Sequence, residues 1–255
     1  MINNIRLLIE YDGTNYHGWQ RQASPHGEEG DAHQTIQGTI EDVLTGIIKQ
    51  PAKVVAAGRT DAGVHAMGQV VHFKTTLQIN ESSWVKAINS LLPADIVVKK
   101  AEYVPEEFHA RFDAKSKVYR YVIVNSGCPS PFLRNYVWHI KRPLDIALMR
   151  EASLYLIGNH DFSSFRASDC SAKSPVRTLD RLEIDEVSGE GFFLFTFEAR
   201  SYLQHMVRNI VGTLVEVGRG EIAPSDIGNI LEKRDRRSAG PIALPQGLYL
   251  SEVMY

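Results

Sequence analysis

The chain has 255 residues and a mass of 28.6 kDa, enough for one large domain or two smaller ones. Apolar residues at 44% and charged residues at 23% are a globular balance, which excludes wholesale disorder. With 28 Lys and Arg against 30 Asp and Glu the net charge is −2, which excludes global attraction to a polyanion and leaves only local patches to recognise one. The longest run without a charged residue, Ser238 to Ser251, is fourteen residues and carries Gly240, Pro241, Pro245 and Gly247, so no membrane-spanning helix is expected. No basic and apolar leader precedes the first strand pattern, and Cys128 and Cys170 form no disulfide framework. These features predict a soluble, cytoplasmic chain.

Ile5, Leu7, Ile9 and Tyr11 alternate with the period of a strand. Residues 12 to 32 are polar and glycine-rich and read as a long loop. Ile36, Ile40, Val43, Leu44, Ile47 and Ile48 then share one face of a helix. Val54 to Ala57 and Gln69 to Phe73 read as strands around the glycine-punctuated segment Gly58 to Gly68. A helix over Ser83 to Leu92, stopped by Pro93, and a strand over Ile96 to Val104 complete the first half. In the second half, Val118 to Val124 predicts a strand and Asp145 to Ile157 a helix. Leu182 to Val187 and Phe192 to Ala199 predict a hairpin turning at Gly189 and Gly191. The clearest helix is Leu203 to Val217. A short one starts at Pro224-Ser225-Asp226, and a strand at Tyr249 to Val253 ends the chain. The expectation is an α+β fold of two similar halves, 1–104 and 105–255. Each half is a mostly antiparallel sheet with helices on one face, and together they form a central catalytic cleft.

The sequence lacks a phosphate-binding loop, a dinucleotide fingerprint, a Gly-x-Ser-x-Gly elbow and zinc-ligand spacings, and His65 and His72 stand too far apart to suggest a ligand pair. Zinc, nucleotide and flavin readings all lose support. What remains is Ala57-Gly58-Arg59-Thr60-Asp61-Ala62-Gly63-Val64-His65-Ala66-Met67-Gly68. Its glycines let the backbone approach a ligand closely, and an Asp near an Arg stays ionised, so Asp61 could serve as nucleophile or general base. The same residues also fit a plain surface turn. Phe108, Phe112, Tyr119 and Tyr121 interleave with Arg111, Lys115, Lys117 and Arg120. That pattern fits stacking and gripping of an unpaired RNA segment, or a half-buried strand with a solvated basic face. Arg208 falls on the flank of the Leu203–Val217 stripe, where it either snorkels over the core edge or projects into a cleft. Two activities fit these residues: RNA binding without catalysis, and metal-free Asp-dependent hydrolysis, as by a glycosidase. The last usually needs a second carboxylate, and the Asp61 loop holds none.

The Ala57–Ala66 run resembles the signature of the tRNA pseudouridine synthase A family. Further blocks resemble the family in the same order: Tyr11-Asp12-Gly13-Thr14 with Gly18-Trp19-Gln20, Thr35-Ile36-Gln37, Phe108-His109-Ala110-Arg111-Phe112 and Tyr119-Arg120-Tyr121. They continue through Asp161-Phe162, Ser164-Phe165-Arg166, Lys173-Ser174-Pro175-Val176-Arg177 and His205-Met206-Val207-Arg208-Asn209-Ile210-Val211-Gly212. Two stretches depart from the pattern. The loop before Thr35 looks longer and carries Glu28, Glu29 and Asp31, and Ala243-Leu244-Pro245 replaces the usual Ala-Pro-Pro. The resemblance implies a homodimeric isomerase, free of metal and cofactor, that converts uridine to pseudouridine at positions 38, 39 and 40 of the tRNA anticodon stem–loop. It implies Asp61 as nucleophile, Arg208 as its ion-pair partner and Tyr119 against the target base. Arg59 would contact RNA or help extrude the target base, Arg111 would bind the substrate, and Leu248 would form part of the apolar pocket wall.

Overall fold

A computed structural model describes residues 2–21, 34–187 and 191–255. Glu28, Glu29 and Asp31 of the expected acidic loop, and Gly189 of the expected hairpin turn, lie outside the described residues. The chain divides into two units, Met1–Lys115 with Leu250–Tyr255, and Ser116–Tyr249. No helix among the described residues is long and apolar enough to cross a membrane.

The first unit begins with β1 (Asn3–Tyr11), whose alternation is realised in full. Ile5, Leu7, Ile9 and Tyr11 are buried on one face. Helix α1 (Ile36–Ile48) starts where the apolar stripe starts, because Thr35 is its N-cap and accepts a bond from the Gly38 amide. Strands β2 (Val55–Ala56) and β3 (His65–Thr75) follow, then α2 (Glu81–Asn89), capped by Asn80, and β4 (Ile96–Val104). β1 pairs antiparallel with both β3 and β4, with Ile5, Leu7 and Ile9 opposite Phe73, Val71 and Gln69. This row meets α2, where Phe73 packs edge-on to Trp84 with ring centroids 5.4 Å apart. Burial of each large apolar side chain here is worth about 2 kcal/mol. The opposite sheet face carries a smaller apolar cluster of Ala57, Val70 and Ala110, joined by Leu8, Phe108, Val253 and Tyr255.

The second unit holds β5 (Ser116–Asn125), β6 (Trp138–Ile140), α3 (Ile146–Ser153), β7 (Gly158–Asp161), β8 (Val176–Leu179), β9 (Arg181–Val187), β10 (Phe192–Ala199), α4 (Met206–Gly218) and α5 (Asp226–Lys233). β10 pairs antiparallel with β5 and β9, so that Phe193, Phe195 and Phe197 oppose Ile123, Tyr121 and Tyr119. β6 adds to β5 in parallel, and β7 and β8 form a separate two-stranded sheet. α3 ends at Ser153 and tightens into a 3-10 turn, short of the expected Ile157. Helix α4 starts at Met206, later than the expected Leu203, and is buried nearly all round instead of along one stripe. The final strand, β11 (Leu248–Met254), ends in the first unit beside β3, where Gly68 leaves room for the Ser251 carbonyl. The α+β reading, with mostly antiparallel sheets, is the fold observed.

Candidate active site

Asp61 sits just before β3, at the start of a tight turn closed by the Val64 amide bonding to the Asp61 carbonyl. Its side chain is half-buried, while Arg59 is exposed. The turn is cradled by the segment that follows β1. The Trp19 amide donates to the Thr60 carbonyl (3.0 Å), and the Gly63 amide donates to the Tyr16 carbonyl (3.3 Å). Two glycines make that approach possible. A Cβ on Gly13 would lie 2.0 Å from the Val64 carbonyl oxygen. Gly18, at φ +88°, would set one 2.8 Å from the Thr60 oxygen. The Tyr11–Gln20 block thus holds the carboxylate-bearing turn in place. The Gly13 amide also donates to His65 Nδ1 at 3.0 Å, fixing the far end.

The expected loop is shorter than Gly58–Gly68, since β3 already begins at His65. On the near side, Tyr11 and Thr60 share a hydroxyl–hydroxyl bond of 2.7 Å, and the Gln69 amide bonds both the N–H and the C=O of Gly58. Burial pushes the Tyr11 phenol up to about 12, against the opposing bonds from Thr60 and Gln69. Sequence reading passed over Gln69 because a polar residue in a strand row signals only a break in alternation.

The aromatic and basic block is not one strand. Phe108 to Asp113 forms a turn ahead of β5. The His109 amide bonds Asp113 Oδ2 (2.8 Å), and His109 Nδ1 accepts from the Arg111 and Phe112 amides. The imidazole stacks on Phe112 at 4.2 Å, and the Arg111 guanidinium lies 5.8 Å from the centre of the Phe112 ring. Phe112 is 67% exposed, Arg111 is exposed beside it, and Lys115 is exposed further along the chain. Beneath them His72 accepts from the Ala110 amide (3.1 Å). Burial, then the neighbouring His109, lowers its pKa from 6.5 to about 4. Lys117 departs from the expected solvated face, being only 7% exposed, whereas Arg120 is exposed.

In the second unit Tyr119 is buried on β5 and meets Tyr202 edge-on, ring centroids 4.9 Å apart. Tyr202, which sequence reading did not single out, donates to the Lys117 carbonyl. Burial first, and the adjacent Tyr119 second, hold its phenol well above 10, so it stays neutral. Arg208 projects from the first turns of α4 and is half-buried. Its Nε donates to the Ala243 carbonyl (2.9 Å), while the Ala243 amide returns a bond to the Arg208 carbonyl (3.1 Å). The reciprocal pair locks the 241–248 segment on α4. The Tyr121 hydroxyl bonds the Leu244 carbonyl in the same segment, and Leu248 is buried at its end. Asp61, Arg59 and Arg111 therefore belong to the first unit, and Tyr119, Arg208 and Leu248 to the second. Among the described residues no group of three His, Cys, Asp or Glu side chains is disposed to hold a metal.

The family profile of tRNA pseudouridine synthase matches residues 7–113 and 152–255. The chain belongs to that family. It is thus an isomerase of the pseudouridine synthase class. Full-length relatives agree. The tRNA pseudouridine synthase A of Pseudoalteromonas atlantica is 46% identical over 251 residues, covering 98% of this chain and 92% of the relative. Those of Thermoanaerobacter sp. strain X514 (44% over 254 residues, all of both chains) and Moorella thermoacetica (46% over 253 residues, 98% and 99%) are as similar. The two profile segments contain Asp61 and Arg208, but Tyr119 falls between them.

Proposed function

We propose that this enzyme isomerises uridine to pseudouridine in tRNA, at positions 38, 39 and 40 of the anticodon stem–loop, with the Asp61 carboxylate as nucleophile. The observation that carries the reading is the Asp61 turn itself, a half-exposed carboxylate on a loop tied down on both sides. The reaction breaks the N1–C1′ bond, turns the uracil and joins C5 to C1′. The C5 proton leaves and N1 gains one, so atoms and electrons balance without any cofactor. An ionised Asp61 serves by attack at C1′, by attack at C6, or by removing a ribose proton to give a glycal. Arg208 is its proposed ion-pair partner, keeping the carboxylate aimed. Tyr119, edge-packed by Tyr202, lies against the target base and relays the C5 proton, while Leu248 forms apolar wall. Arg59 and Arg111 hold the RNA, offsetting the few kcal/mol needed to unstack a stem base. The working form is a cytoplasmic homodimer that holds one tRNA.

Asp61→Asn tests the reading. The expected result is loss of pseudouridine formation on unmodified tRNA by at least about a thousandfold, with tRNA affinity kept within a few fold. Pseudouridine formed at near the wild-type rate removes Asp61 from the chemistry.

A further inference from the structure

We infer that Gln69 is a positioning residue of this isomerase: with Tyr11 and Thr60 it forms a buried polar clamp that sets the approach of the Asp61 loop. The inference rests on the reading of Asp61 as the reacting carboxylate. Gln69 occupies a row meant for apolar side chains, since its neighbours along β3 on that face are Val71 and Phe73 and its partner on β1 is Ile9. It is fully buried. An amide in that position is costly unless every polar atom finds a partner.

Each atom finds one on the loop or beside it. Oε1 accepts from the Gly58 N–H at 3.3 Å, and Nε2 donates to the Gly58 carbonyl at 2.7 Å. Beside the amide, which acts on its phenol, the Tyr11 hydroxyl bonds Thr60 Oγ1 at 2.7 Å. The ladder between β2 and β3 runs through Ala56 opposite Val71 and the Ala57 amide on the Val70 carbonyl, and then stops. At the next residue the Gln69 side chain takes over as the strand partner. Gly58 and Thr60, on either side of Arg59, are both pinned, and Asp61 follows directly. A β-bulge makes this possible: between Ile9 opposite Gln69 and Tyr11 opposite Ala66 the register slips by one residue. Without the clamp, a stretch with glycines at 58 and 63 would sample many backbone states, and small displacements of a reacting group are costly in rate.

The test compares Gln69→Leu, Gln69→Glu and Tyr11→Phe with the wild-type chain on unmodified tRNA, following pseudouridine formation. Gln69→Leu keeps volume and loses both Gly58 bonds. Its kcat is expected to fall at least about tenfold, with KM for tRNA within about threefold. Gln69→Glu supplies the decisive readout. An ionised carboxylate has no hydrogen for the Gly58 carbonyl, whereas a protonated one reproduces the amide's donor and acceptor, and burial raises a carboxyl pKa. Its kcat relative to wild type should therefore recover about fivefold or more between about pH 8.5 and 6. Tyr11 on β1 is the ionisable group shown beside it, and the wild-type profile corrects for titration in the rest of the chain. A wild-type kcat in Gln69→Leu, or a flat ratio with pH in Gln69→Glu, overturns the clamp. Should both variants fail to fold, Tyr11→Phe decides: several-fold lower kcat at unchanged KM supports it, and wild-type kcat overturns it. Asp61→Asn is run alongside. An active Asp61→Asn defeats the proposed function, whereas an inactive one beside fully active Gln69 variants defeats only the clamp.

Discussion

Single residues in this chain are informative mainly through what lies next to them. His72 would be a featureless strand histidine in isolation, yet its buried ring accepts the Ala110 amide and faces His109 at 5.0 Å. Its pKa is depressed from 6.5 to about 4, so the unfolded chain binds more protons than the folded one between those values. Stability from this group is complete above about pH 6.5 and is lost as pH falls towards about 4. Denaturant midpoints measured across that window should decline for the wild-type chain, and His72→Gln should show a shallower decline because no imidazole is left to charge. Equal slopes in both chains would mean that the carboxylates alone account for acid lability. The same lesson applies to the candidate site. The Asp61 turn was legible from its glycines, but the same residues fit a plain surface turn, and only the family resemblance singles out the carboxylate. The direction of Arg208 was not legible, because a flank position on a helical wheel says nothing of the Ala243 carbonyl that receives its Nε.

At the scale of elements, one chemical change should have opposite signs in two helices. Gly46 in α1 faces open space, with nothing within 4 Å of an added Cβ. Gly46→Ala should therefore stabilise by about 0.5–1 kcal/mol through helix propensity. Gly212 in α4 faces the Pro241 carbonyl oxygen, which an added Cβ would meet at 1.8 Å. Backbone cannot rotate out of the way, so Gly212→Ala should cost about 3 kcal/mol or more and loosen the 241–248 segment that holds Arg208. Urea midpoints of the two variants check both signs. Sequence alone treats these glycines alike, and this marks where legibility ends. β1 by its alternation and α1 by its apolar stripe were read close to their observed bounds, as were β4 and β10, while α4 starts at Met206 and not at the expected Leu203. β6, β7 and β8, three or four residues each, have too few positions for alternation to register. The return of Leu250–Tyr255 to the first unit is a pairing across most of the chain, and no local pattern encodes it.

The molecule as a whole carries a net charge of −2, so its affinity for an RNA polyanion has to come from where its cations stand. Arg111 stands exposed beside the Phe112 ring, Lys115 is exposed just before β5 and Arg120 on it, whereas Lys117 is buried and drops out of the expected basic face. Each cation that neutralises a phosphate releases condensed counterions, so log affinity for tRNA should fall linearly with log salt. Replacing Arg111, Lys115 and Arg120 together by Gln should flatten that slope by up to about three units, roughly one for each phosphate left without its cation. Lys99→Gln is the matched control. It removes one positive charge already paired with Glu10 at 3.1 Å, so the slope should stay at its wild-type value. Filter binding or anisotropy with unmodified tRNA across about 50 to 200 mM salt reads both. A triple variant with the wild-type slope would mean that the Phe108–Asp113 turn and the Arg120 edge of β5 face away from the RNA. A slope that also flattens in Lys99→Gln would mean that diffuse charge, and not this patch, sets the affinity.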